Sequence, residues 1–175
     1  MEVSLDSEGN VLNAQLLTTH DRSVVYHITT KSTAWSRERT YFRDANPALG
    51  EPSTAGVIHW KDKIFEIRGQ KRPISDLRRK QGFIRREHFW KWSPEREEYA
   101  VGFHGEKEWQ TSLRNEIVAT FAVPYRPKLF GKLKPSILKL FPKTLEQDEV
   151  FMLMVLIYCE VKRQDKMNAS TGWQT

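Results

Sequence analysis

Residues 151 to 159, FMLMVLIYC, are apolar on every side of any helix they form, and they lie inside a charged bracket, EQDEVFMLMVLIYCEVKR, residues 146 to 163. Acids in the first turn and bases in the last suit the helix dipole, so the pattern predicts a helix over 146–163. A helix that is apolar all round must be surrounded by lipid or by protein. Crossing hydrocarbon takes about twenty apolar residues. Here nine are closed in by Glu146, Asp148 and Glu149 on one side and Glu160, Lys162 and Arg163 on the other. The run is too short for a span, and the sequence predicts a helix sheathed by its own chain.

What does the sheathing is written in the preceding residues as a period of two. Short apolar and aromatic runs are cut by turn residues every eight to twelve positions, the pattern of antiparallel strands. Residues 12–19 and 24–31 flank His20-Asp21-Arg22-Ser23 and read as a hairpin. Residues 39–44 follow, then a loop over 45–53 marked by Asn46-Pro47 and Glu51-Pro52. Strands at 56–61 and 63–69 alternate about Asp62, with Val57, His59 and Lys61 on one face and Ile58 and Trp60 on the other. Residues 70–81 carry charge without periodicity and read as a connecting loop. Strands are predicted again at 83–92 (FIRREHFWKW), 97–105, 108–113, 117–125 and 134–142. The fold class is therefore mainly β: an antiparallel barrel or strongly curled sheet threaded by a central hydrophobic C-terminal helix. Residues 1–10 read as a flexible N-terminus, 11–166 as one domain, and 167–175 as a disordered tail.

Composition bounds the rest. With 175 residues, 39% of them hydrophobic, the chain is long enough for one core and too apolar for wholesale disorder. The N-terminal MEVSLDSEGN places acids where a secretory signal needs a basic start and an apolar core. The expected location is cytoplasmic, with peripheral attachment to membranes. A single cysteine, Cys159, excludes an internal disulfide.

A set of ordered motifs resembles a known family. Tyr26, Ile28 and Thr29 fall in a strand that ends in the pattern Y-x-I-x-T; Thr40 and Arg43 follow, then Ile58 and Trp60, Arg86 with Phe89 and Trp92, Asp148 with Val150, and Glu160 with Lys162 and Arg163. In order and spacing these are similar to an uncharacterised domain family of mushroom-forming basidiomycete fungi. That family looks related to the tubby-like superfamily, which includes the plant LURP-one-related proteins and the phospholipid scramblases. The resemblance covers about residues 10–166 and implies a barrel of about twelve strands closed around a central helix. It also implies phosphoinositide binding by basic side chains on the barrel, although no motif of the tubby site aligns residue by residue.

Basic charge is concentrated in two stretches. Between residues 68 and 91 there are nine bases against two acids, and between 117 and 145 six bases and no acid. Converging in space, they form a surface that attracts phosphates. The candidate lipid or phosphate ligands are Lys71, Arg72, Arg78, Arg79, Lys80, Arg126, Lys128, Lys132 and Lys134, with Phe130 as a membrane-docking tip. Nucleic acid has the same charge in its favour but no recognisable reading module, and it ranks below lipid.

Catalytic and metal motifs do not emerge. His20, His27, His59, His88 and His104 have no metal-ligand spacing, and no nucleophile elbow, phosphate loop or dinucleotide fingerprint occurs. Neither a metal nor a cofactor is expected. Asp44, Glu66 and Glu87 are the carboxylates beside His or Arg positions on strands. The leading reading is a non-enzymatic binding module for anionic phospholipid headgroups. The alternatives are an adaptor domain that binds protein, and a small-ligand binder or enzyme with a pocket at His59, Trp60 and His88.

Overall fold

The structure, a computed structural model, describes residues 1–7, 10–80, 87–105, 107–123 and 135–170, with the Lys80 side chain outside that set. One antiparallel sheet of thirteen strands dominates it. In chain order the elements are β1 (Glu2–Leu5), β2 (Ala14–Thr18), β3 (Val24–Ser32), β4 (Arg37–Asp44), β5 (Thr54–His59), β6 (Ile64–Ile67) and β7 (Gln70–Pro73). A single turn, α1 (Ile74–Leu77), leads to β8 (Arg78–Lys80), β9 (His88–Trp90), β10 (Tyr99–His104), β11 (Glu108–Leu113), β12 (Glu116–Ala122) and β13 (Ile137–Leu140). The chain ends in α2 (Pro142–Leu145) and α3 (Glu149–Ser170).

The spatial order is β7-β6-β5-β4-β3-β2-β1-β13-β12-β11-β10-β9-β8. Among the described residues no ladder joins the edge strands β7 and β8, so the sheet is open there and the expected closure is not shown. Its two ends nevertheless approach each other. Phe65 of β6 and Trp90 of β9 stack with ring centroids 6.0 Å apart, and both rings meet Tyr158 of α3 edge-on, at 5.5 and 5.8 Å.

The helix lies in the hollow of this curled sheet. Every residue from Phe151 to Val161 is buried, and Met152 to Ile157 are wholly inaccessible. Eleven residues at a rise of 1.5 Å make about 16 Å of helix enclosed on all sides. Val3, Leu16, Ile28, Phe42, Ile58, Phe65, Trp90, Val101, Phe121 and Leu138 supply the inner wall from ten different strands. Contact is closest at β5, where a Cβ on Gly56 would lie 2.6 Å from Met154 Sδ and 3.0 Å from Val150 Cγ1. Only glycine lets the strand lie this near the helix.

Both ends of α3 are tied by carboxylates. Tyr99 donates its hydroxyl to Asp148 at 2.9 Å, and Tyr26 donates to Glu149 at 3.0 Å. Burial raises the pKa of both carboxyl groups. At the other end Glu160, buried at 1% exposure, accepts from Trp109 Nε1 (2.9 Å), Arg163 Nε and Nη2 (2.8 and 2.7 Å) and Gln164 Nε2 (2.8 Å). A buried carboxylate is tolerated only with such partners.

Several elements depart from the expectation. Within the stretch expected as a flexible N-terminus, Glu2–Leu5 form β1 in the middle of the sheet, paired to β2 and β13, with Val3 and Leu5 in the core. The presumed loop 70–81 contains β7, α1 and β8. Their basic residues keep strand geometry by laying stems and guanidinium groups over aromatic rings: Arg72 over Trp92, Arg78 over Trp90 and Arg79 over Phe89. The final helix starts at Glu149, after the separate turn α2, and runs to Ser170. Residues 167–170 of the expected disordered tail are thus helical, with no Pro or Gly to stop them.

Candidate functional site

At the end of the sheet where α3 emerges, the β3–β4 hairpin and the β5–β6 turn border an open groove of about 1070 Å³. Its lining includes Lys31, Trp35, Arg37, Arg39, Tyr41, Trp60, Lys61 and Lys162, with Glu38 and Asp62 as the acids. Alternation along the strands sets this up. Thr40 and Phe42 of β4 point inward and are inaccessible, so Arg39, Tyr41 and Arg43 stand on the outer face. On β3, Tyr26 and Ile28 are buried, which places His27, Thr29 and Lys31 outward.

The hairpin tip is ordered by Thr33. Its amide donates to the Ser36 carbonyl at 2.8 Å, and its hydroxyl accepts from the Ser36 amide at 3.1 Å. Trp35 projects from this tip 96% exposed, an unusual position for the largest apolar side chain. Arg37 anchors the hairpin to α3: its two terminal nitrogens donate to Asp165 at 2.9 and 2.7 Å, and its guanidinium lies 5.6 Å from the Trp60 ring centre. Lys162 sits 5.8 Å from the same ring and from Tyr158. Trp60 itself stacks on Tyr158 at 5.5 Å and donates Nε1–H to Thr40 Oγ1 at 2.8 Å.

Charge on this face is not neutralised. Among the described residues, Lys31, Arg39, Arg43, Lys61 and Lys162 form no ion pair with any carboxylate. The cluster expected from residues 68–91 is different. Arg79 is held by Glu98 at 2.7 and 2.5 Å, which raises the arginine pKa and lowers that of Glu98. Lys71 lies 3.8 Å from Glu66. Arg72 and Arg78 cover tryptophan rings, and Arg78 joins the groove's aromatic cluster through Trp90 and Tyr158. Lys80, on edge strand β8, is placed by its backbone alone. Arg126, Lys128, Phe130, Lys132 and Lys134 lie outside the described residues, as does the question of whether the two basic stretches converge.

Of the residues expected around a pocket, His59, Trp60 and His88, the two histidines do not meet across neighbouring strands. Trp60 lines the groove and neither histidine does. His59 lies on β5, between β4 and β6, and His88 on β9, between β8 and β10, so they share no ladder. His59 instead hydrogen-bonds Glu66 at 2.8 Å on the outer face. Among the described residues no group of three His, Cys, Asp or Glu could hold a metal ion. Burial pushes the Cys159 thiol up to about 12, far from a reactive thiolate.

The sequence reading missed Lys31, Trp35, Arg37, Arg39 and Tyr41. The signal was present: KSTAWSRERTYFR, residues 31–43, interleaves aromatics with four bases and one acid, as FIRREHFWKW does with three bases and one acid. Comparison with protein-family models, with curated proteins and with solved structures finds no match to this chain. No helix among the described residues is long and apolar enough to cross a membrane.

Proposed function

We propose that the protein is a non-enzymatic binding module that docks on anionic membrane surfaces through the β3–β4 hairpin and the groove behind it. The observation that carries this reading is Trp35, 96% exposed at an ordered tip, in a groove also lined by Lys31, Arg39, Lys61 and Lys162, none of them ion-paired among the described residues. An indole ring prefers the headgroup level of a bilayer, where its apolar body is buried and its N–H stays wet. Nearby bases each add about 1 kcal/mol against an anionic leaflet. Five bases line the groove against two acids, which favours anionic over neutral surfaces. Arg78 and Arg79, favoured from the sequence, contribute less in this reading because one covers Trp90 and the other is paired with Glu98.

The finer architecture belongs to the same proposal: a tubby-like barrel whose missing ladder between β7 and β8 is replaced by α1 and by the Phe65–Trp90–Tyr158 cluster. The approach of the sheet's ends supports it.

Sedimentation with vesicles tests the function. Binding is expected to phosphatidylcholine vesicles containing phosphatidylserine, to weaken as salt rises, and to drop in Trp35→Ala. Equal recovery in the supernatant with neutral and anionic vesicles at low salt refutes it. A single salt-resistant protein partner in its place would favour the adaptor reading.

A further inference from the structure

The outer face of β3 and β4 carries a charge arrangement that folding alone does not explain. Lys31 lies directly opposite Arg39. Like charges facing each other across a ladder are destabilising. Two of the cations lie over one ring, with Lys31 Nζ 5.7 Å and Arg43 Cζ 5.2 Å from the Tyr41 centroid, and Arg39 stands two residues from Tyr41 on the same face of β4, lining the groove with Lys31 and Tyr41. Arg43 is further oriented by donating to Thr29 Oγ1 at 3.0 Å. The nearest acids, Glu38 and Asp62, act on Arg39 through space without pairing with it.

We infer that Lys31, Arg39 and Arg43, arranged around Tyr41, form a recognition site for a phosphomonoester. This rests on the membrane reading above only for where the phosphate comes from. A phosphomonoester carries close to two charges and three terminal oxygens, whereas a phosphodiester carries one charge on two. Three converging cations with fork and point donors match the former, and charge-assisted bonds to it are the strong kind. Lys31, Arg39 and Tyr41 also line the groove behind Trp35, so a headgroup held there would sit at the depth that the indole marks.

The experiment compares vesicles of phosphatidylcholine with phosphatidic acid, a phosphomonoester, against vesicles with phosphatidylserine matched in surface potential. Binding about tenfold tighter to the phosphatidic acid vesicles is expected, the scale of one or two charge-assisted hydrogen bonds. The Lys31→Gln, Arg39→Gln double variant should fall to the phosphatidylserine level, while Lys139→Gln, on an exposed base paired with Glu2, should not change. Should the double variant not fold, Arg43→Gln serves in its place. In parallel, glycerol phosphate is titrated and followed by amide shifts. Shifts confined to β3 and β4 without binding to either vesicle would sink the membrane reading and keep the site, with a soluble ligand. Equal binding to the matched vesicles, with no such shifts, would overturn the site and leave the membrane reading standing.

Discussion

Replacing Gly56 with alanine asks directly whether β5 lies on the enclosed helix. The added methyl would meet Met154 Sδ at 2.6 Å and Val150 Cγ1 at 3.0 Å. Met154 is inaccessible and cannot swing into solvent. Restricting the unfolded chain favours alanine by about 0.4–1 kcal/mol. Overpacking a filled core costs roughly 1–3 kcal/mol, so the clash wins. A net loss of roughly 1–2 kcal/mol lowers the Tm of a chain this size by about 2–8 °C. Met154→Ala alone costs about 2–5 kcal/mol through the cavity it leaves. In the double variant the alanine methyl points into that cavity, so the two losses add to less than their sum, by roughly 0.5–3 kcal/mol. Urea denaturation of the four proteins measures the cycle. Additivity within about 0.5 kcal/mol, or a Gly56→Ala protein as stable as the parent, refutes the contact.

Three further outcomes follow from the buried polar groups. Trp109→Phe removes a donor from buried Glu160 and should cost about 1–3 kcal/mol in denaturant unfolding; no loss would mean that the carboxylate is solvated. Burial raises the pKa of Asp148, so its charge opposes folding at neutral pH, and that penalty fades as pH falls through the folded pKa. The stability of Asp148→Asn relative to the parent should therefore be most favourable near neutrality and decline in acid, and the opposite slope contradicts the burial. Cys159, its thiol pushed up to about 12, should resist a disulfide reagent until the protein unfolds, and prompt labelling of the native protein would count against the enclosed helix.

The features legible in the sequence were those set by periodicity. Ile58 and Trp60 face the helix while His59 faces out, as strict alternation about Asp62 implied, and FMLMVLIYC could satisfy its apolar surface only by enclosure. Elements stabilised by contacts remote in sequence were hidden. Glu2–Leu5 has too few residues to show a period, yet its partners are residues 16–18 and 137–139. The strand character of β7 and β8 rests on arginines lying over Trp92, Trp90 and Phe89, which a reading of charge alone takes for a loop. The same limit moved the candidate site. Counting bases favoured residues 68–91, but Glu98 and Glu66 pair there with Arg79 and Lys71. The unpaired cations are instead those that β-register assembles around Tyr41.

Hydrogen exchange along α3 reaches the centre of the proposal. Amides of residues 153–161 are expected to exchange only by global unfolding, at the free energy given by denaturant titration and with equal protection around the whole circumference of the helix. Exchange of those amides well below the global free energy, or protection on one face only, would mean that the sheet does not enclose the helix.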